Sequence, residues 1–350
     1  MDGIDEGRVT DWLTANTPPI EPPLTFELIA GGRSNLTFEV TDATGRRLVL
    51  RRPPVSHVLA SAHDMGREHR IISALADSPV PVPTALGFCD DVEVNGAPFY
   101  VMDFADGHIV RGLEQVEELF DVETRRAAGF DLVDVMVALH SLDPDHVGLG
   151  DLGKKEDYLG RQLKRWWGQF QGSQDQEREA GVWRAADVVG EVHRMLVDRK
   201  PEQQGAVIAH GDYRLDNCMF DDDGRVMAVL DWELCTLGDP LADIGTMLIY
   251  WTDRGETPRM GLAPASTAEG FPLRSELAAR YAERSGRDLS QLDYYMAFGH
   301  WRLACIMEGV FVRYATGAMG GGDEAKQAAQ GMGGEVIRRA QLAKDLLESM

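Results

Sequence analysis

The chain has 350 residues and a formal net charge of −22, from 57 acidic against 35 basic side chains. At that length roughly 75% of the unfolded surface can be buried, so no disulfide or metal staple is required, and the acidic field argues against nucleic acid as a partner. The four cysteines (Cys89, Cys218, Cys235, Cys305) form no CxxC pair, which excludes zinc-finger and disulfide-framework classes and fits a reducing, cytoplasmic setting.

In chain order, "MDGIDEGRVTDW" is acidic and polar where a signal peptide would be apolar, so none is expected. Residues 7–15 read as a short amphipathic helix, ended by "TPPIEPP". "LTFELIA", "LTFEV" and "RLVLRR" then alternate in the manner of strands around "GGRSN" and "DATGR", which predicts a three-stranded antiparallel meander. Residues 61–77 predict a helix, with Ser61 available as its cap, and "SPVPVP" stops it. "TALGFCD" and "PFYVMDF" complete a five-stranded segment.

Past residue 105 the pattern becomes helical: 122–142, "DYLGRQLKRWWGQF", "GEVHRMLVDR", 239–251, 273–284 and 289–314. Strands return only at "GAVIAH" and "RVMAVLDW". The Gly-rich segment 317–334 is expected to be a mobile connection. No uninterrupted apolar run reaches about 18 residues, so no membrane span is expected.

The strands around "IAHGDYRLDNCMF" and "VLDWELCTLGDPLAD" carry the chemistry. His210, Asp212 and Asn217 stand in H-x-D-x-x-x-x-N order, and Asp231 ends the next apolar strand. Phosphoryl transfer from ATP needs an anion to accept and orient the attacking hydroxyl, which Asp212 can supply. It also needs oxygen ligands for Mg²⁺, which Asn217 and Asp231 can supply; hard oxygen donors select that ion over zinc. Taken singly, Asp212 could cap a turn, Asn217 could bond local backbone and Asp231 could pair with an arginine. Cys218 reads as a buried apolar thiol, and "FDDDGRV" as a hairpin turn in preference to a calcium loop.

The segments "GGRSNLTFEV", "LRRPP", "REHRIISAL", "PFYVMDFADG", "HGDYRLDN" and "LDWELCTLGDPLAD" resemble the aminoglycoside phosphotransferase and choline kinase branch of the protein-kinase-like fold. Within it they most resemble the phosphotransferase domains linked to acyl-CoA dehydrogenases. That resemblance implies an α+β bilobal fold: residues 1–105 as a nucleotide-binding lobe with a five-stranded antiparallel sheet and one helix between its strands, and 106–350 as a helical lobe. The helical lobe would hold a catalytic loop at 210–217, a metal-binding segment at 231–243 and the acceptor site.

The same resemblance implies ATP and Mg²⁺ as cofactors, with His210 and Arg214 supporting Asp212 in the catalytic loop. The backbone around Gly31, Gly32, Ser34 and Asn35 would cover the phosphates, and Met102, Asp103 and Phe104 would form the adenine-facing hinge. Asp239 and Asp243 would brace the catalytic loop, by its backbone or through Arg214. An arginine stands where protein kinases place lysine. Alternation along "RLVLRR" leaves Arg51 and Arg52 both open; the resemblance selects Arg51, with Glu68 as its partner.

The resemblance implies a small-molecule hydroxyl compound as acceptor, with a hydroxyacyl-CoA, another hydroxylated metabolite and an amine-bearing aminoglycoside all compatible. Walls for it are expected from the 253–272 loop and the last long helix. Two other readings are a nucleotide-binding module without phosphotransfer, which the altered Gly-rich loop allows, and adenylylation. A homodimer is compatible with the sequence, which does not fix oligomeric state.

Overall fold

The computed structural model describes residues 3–31, 35–54, 64–256, 264–316 and 323–350. Helix α1 (Glu6–Asn16) is capped by Asp5, whose carboxylate accepts the Arg8 N–H. Strands β1 (Thr25–Gly31), β2 (Leu36–Thr41), β3 (Arg47–Arg52), β4 (Ala85–Cys89) and β5 (Phe99–Asp103) form one antiparallel sheet in the order β1-β2-β3-β5-β4. Helix α2 (Met65–Leu75) comes between β3 and β4 in the chain. Its cap is Asp64, which accepts the Arg67 N–H; the expected cap, Ser61, lies outside the described residues.

Alternation along the strands gives the sheet two unlike faces. Leu48, Leu50, Phe99 and Val101 pack with Val9 and Leu13 of α1. Val49, Tyr100 and Met102 turn the other way, join Met65, Ile71, Ile72 and Leu75 of α2, and continue into the main core. Arg51 shares the Val49 face. Arg52 shares the Leu48 face, where its guanidinium donates to the carbonyls of Gly3 and Asn95.

A second, short helix that the sequence did not predict, α3 (Val92–Asn95), lies between β4 and β5; after β5 the chain is mainly helical: α4 (Leu113–Leu119), α5 (Val122–Ser141), α6 (Tyr158–Glu179), α7 (Asp187–Asp198), α8 (Pro240–Tyr250), α9 (Arg274–Ser285), α10 (Leu292–Ala315) and α11 (Asp323–Ser349). Two small antiparallel ribbons interrupt it. Strand β6 (Val207–Ala209) pairs with β9 (Thr236–Gly238), and β7 (Cys218–Phe220) forms a hairpin with β8 (Val226–Val229) across the "DDDG" turn. Cys218 is fully buried, which pushes its thiol pKa far up and makes it inert. Among the described residues no helix is long and apolar enough to cross a membrane.

One expectation is corrected. Residues 323–334 are not a mobile connection but the start of α11; residues 317–322 lie outside the described residues. Val336, Ala340, Ala343 and Leu347 recur at helical spacing and are buried in the main core, and α11 packs along α10 and α7. A Cβ on Gly333 would stand 3.0 Å from Arg184 Nε and 3.5 Å from the Phe311 ring, so this glycine serves close approach and does not break the helix.

Candidate active site

Strand β6 ends at Ala209, and the chain turns through His210, Gly211 and Asp212. Gly211 has φ +84°, and a Cβ there would stand 2.6 Å from the Leu234 carbonyl oxygen, so only glycine fits. Buried Asp243 of α8 accepts the His210 N–H at 2.6 Å and the Gly211 N–H at 2.8 Å. Burial pushes the Asp243 carboxyl up, but His140, His210 and the Gly211 N–H outweigh it and hold its pKa below the usual range. His140 in turn contacts Asp243 at 3.3 Å and the Tyr281 hydroxyl at 2.7 Å.

His210 Nε2 lies 2.9 Å from the Leu230 carbonyl oxygen, a contact that requires a proton on Nε2, and Nδ1 then accepts the Asp212 N–H at 3.3 Å. Arg302 of α10 donates to the Gly211 carbonyl. The loop is therefore fixed from α8, from α10 and from the end of β8.

Asn217 sits in a single 3₁₀ turn (Leu215–Asn217), and its amide nitrogen donates to the Asp212 carbonyl at 2.8 Å and to Asp212 Oδ2 at 3.0 Å. Burial raises the Asp212 pKa, opposed by Arg214, Arg302 and His210. Arg214 Nε lies 3.3 Å from Asp212 Oδ2 and 3.3 Å from Asp216 Oδ1, with its guanidinium over the Tyr250 ring. It bonds neither Asp239 nor Asp243, contrary to one of the expectations. Asp239 instead caps α8 through the Leu241 N–H and accepts the Tyr295 hydroxyl at 2.7 Å.

Asp231 follows β8 in the left-handed region at φ 65°, ψ 63°, an uncommon conformation for a residue with a Cβ. Arg51 Nη2 reaches Asp231 Oδ1 at 2.5 Å, and Arg51 Nε lies 3.3 Å from Glu68 Oε2. Glu68 also accepts the Tyr100 hydroxyl at 3.1 Å and the Asn35 amide at 3.1 Å. Burial raises the Glu68 pKa, with Arg51 opposing. Glu233, near Asp231 and Glu68, is pushed up to about 7 by burial and by those like charges.

The expected residues therefore fall into two linked groups. Asp212, Asn217, His210 and Arg214 form one, and Arg51, Glu68, Asn35 and Asp231 the other. The Leu230 N–H donates to the Asn217 carbonyl at 2.9 Å and joins them. Gly31 ends β1, while Gly32 and Ser34 lie outside the described residues. Met102 faces the main core, the Asp103 N–H donates to the Thr84 carbonyl at 2.9 Å, and Arg47 lies 3.5 Å over the Phe104 ring. Tyr100, Arg302 and Tyr281 were missed, since their partners Glu68, Gly211 and His140 lie far off in the chain and meet them only in the fold; His140 itself reads from sequence as a packed or capping histidine.

The donor set suits a hard divalent cation. The Asn217 amide nitrogen is committed to Asp212, which leaves its oxygen as the atom a cation would meet. Among the described residues no three His, Cys, Asp or Glu side chains group to hold a metal alone.

A cavity of about 210 Å³ adjoins the loop, lined in part by Arg111, Arg214, Asp216, Tyr250, Ser266 and Arg339. Of the expected walls, the 253–272 region contributes Pro264–Ser266. Arg339 of α11 also lines it, whereas among the described residues the long helix expected as a wall, 289–314 (α10), does not.

Residues 25–293 match the phosphotransferase enzyme family. Acyl-CoA dehydrogenase family member 10 of Mus musculus is 35% identical over 296 residues, covering 82% of this chain and 26% of that protein. Acyl-CoA dehydrogenase family member 11 of Gallus gallus is 31% identical over 327 residues, 90% of this chain and 40% of that one. The chain thus spans between about a quarter and two-fifths of the length of these relatives.

Among solved structures, a Ralstonia eutropha protein named for the aminoglycoside phosphotransferases matches with a TM-score of 0.79 and 30% identity, over 97% of this chain and 98% of that one. A thermostable mutant of aminoglycoside phosphotransferase APH(4)-Ia, solved with AMP-PNP and hygromycin B, gives 0.56 and 19% over 95% and 98%, a likeness of fold alone. With its sheet-bearing N-terminal part, its helical C-terminal part and this match over most of its length, the chain belongs to the phosphotransferase enzyme family and has its kinase-like fold.

Proposed function

We propose that the protein transfers the γ-phosphoryl group of ATP to a hydroxyl of a small molecule, with Asp212 as the base. The observation that supports this best is the joining of Asp212–Asn217 to Arg51–Glu68–Asp231 from separate segments of the chain. In this reading residues 1–105 bind nucleotide and 106–350 bind the acceptor. Backbone at Gly31, Gly32, Ser34 and Asn35 covers the phosphates, and the Met102–Phe104 segment meets adenine.

Asp212 accepts the hydroxyl proton as the acceptor oxygen bonds to the γ-phosphorus. The bond from that phosphorus to the β–γ bridging oxygen breaks, and ADP leaves. A raised pKa makes the buried Asp212 a better proton acceptor than an exposed carboxylate, while Arg214 and Asn217 hold it in one orientation. Arg51, oriented by Glu68, supplies a fixed cation to the phosphates. Mg²⁺, when bound by Asn217 and Asp231, would neutralise charge on the phosphate oxygens.

The relatives' names favour a hydroxyacyl-CoA or other hydroxylated metabolite as acceptor. The four buried free cysteines suit a reducing cytoplasm.

Asp212→Asn is expected to lower ADP formation by about 10²–10⁴-fold with the Kd for ATP little changed. Near-wild-type turnover would remove Asp212 as the base. Pyrophosphate in place of ADP would replace phosphoryl with nucleotidyl transfer.

A further inference from the structure

Three arginines line the cavity beside the catalytic loop, in a protein whose net charge is −22. Arg111, Arg214 and Arg339 line it against one carboxylate, Asp216. Asp216 and Arg214 engage each other at 3.3 Å, and Arg214 also meets Asp212, so neither brings an unpaired charge to the cavity. Arg339 reaches the cavity from α11, only 6% exposed, fixed by Glu335 at 2.8 Å and by His300 Nδ1 at 3.2 Å.

Arg111 differs from the other two. It is exposed, and among the described residues its guanidinium has no hydrogen-bond or ion-pair partner. Its backbone is nonetheless held, through the Gln115 side chain at 3.0 Å and through the adjoining Gly112–Pro264 bridge. A free guanidinium on an anchored backbone at the mouth of a cavity, with two more arginines in its walls, is an arrangement for binding an anion.

We infer that this cavity receives the anionic end, carboxylate or phosphate, of the hydroxyl compound that the enzyme phosphorylates. The inference rests on the phosphotransferase reading above and adds the charge class of the acceptor. Arg214 would belong to both sites: it touches Asp212 on one side and lines the cavity on the other. An anion held at Arg111 and Arg339 would thereby lie one short spacer from the base that takes the hydroxyl's proton. A polycationic acceptor is disfavoured twice, by the unpaired Arg111 guanidinium and by size. At about 210 Å³ the cavity is below the roughly 300–1,000 Å³ of sites for drug-sized ligands, so it fits a small acid or the end of a longer one.

The test is calorimetric titration of the full chain at fixed ionic strength with 3-hydroxybutyrate and glycerate, against butane-1,3-diol and choline. The two acids should bind and the diol and choline should not. Arg111→Met should weaken acid binding by about tenfold or more, and Arg111→Lys should restore part of it. Arg111 is exposed and pairs with nothing, so its loss is not expected to unfold the protein. Arg339→Lys, which keeps the charge at a buried position, provides a second variant.

A coenzyme A thioester of 3-hydroxybutyrate separates the two sources of anion: tighter binding than the free acid assigns the cavity to phosphate, weaker binding to carboxylate. Choline binding as tightly as the acids, acids that fail to bind, or acid affinity unchanged in Arg111→Met would each overturn the inference. A parallel titration with Mg·ATP keeps the two proposals apart. ATP binding without acid binding sinks only the cavity's role, whereas failure to bind ATP removes the phosphotransferase reading beneath it.

Discussion

Asp243 shows how much of the site depends on one carboxylate that need never touch a substrate. It accepts two consecutive backbone N–H groups, from His210 and Gly211, and contacts His140, all in the interior. Asp243→Ala would leave these donors buried and unpaired, at about 1–3 kcal/mol each. We expect a loss of about 3 kcal/mol or more, read as a lower urea midpoint with an unchanged m value. A midpoint within error of wild type would mean that the loop is held by its own packing.

A second buried carboxylate acts through pH. Glu308 of α10 is fully buried beside Glu177, Gln174 and Arg184, and its pKa is pushed up to about 7, first by burial and then by Glu177, with Arg184 opposing. A carboxyl with a raised folded pKa binds more protons folded than unfolded between its ordinary value and about 7. Its contribution is therefore full below the ordinary carboxylate range and is lost as pH rises through about 7. Between pH 5 and pH 7 the wild-type melting temperature should fall relative to that of Glu308→Gln. Parallel profiles would exclude Glu308 as the titrating group.

At the scale of elements, α11 tests whether its glycines break or merely thin a helix. Gly331 and Gly334 are exposed, and a Cβ at either would meet nothing within 4 Å. Gly331→Ala and Gly334→Ala should each stabilise by about 0.5–1 kcal/mol, the ordinary helix-interior difference, measured by urea denaturation. No gain at either would show that this end of α11 is frayed in solution.

The same helix marks where sequence reading stopped. The strands of the sheet, α2 and the His210–Asp231 segment were legible because their apolar spacing or their motif is local. Helix α11 was not: its apolar residues begin only after a Gly-rich stretch, and burial against α10 is what makes it a helix. Helix α6 runs to Glu179, nine residues past the expected end, because Gln174 and Glu177 are buried through hydrogen bonds that no hydrophobic pattern records. For Arg51 against Arg52 the strand period defined the choice but not the answer. The answer needed to know that α1 covers one face of the sheet and α2 the other.

Across the whole molecule, arginines of the N-terminal part reach acceptors of the helical part. Arg51 meets Asp231, Arg67 donates to the Leu152 and Cys235 carbonyls at 2.9 and 2.8 Å, and Arg70 pairs with Asp151. These bonds tie β3 and α2 to the catalytic-loop region and to the segment after α5.

The measurement that tests phosphotransfer most directly mixes the protein with Mg²⁺, γ-labelled ATP and a small-metabolite extract, beside Asp212→Asn, and searches for labelled products by mass spectrometry. Transfer by Asp212 predicts a labelled acceptor, with ADP, from the wild-type protein alone. Equal labelling by the variant, or no binding of ATP by either protein, would contradict it.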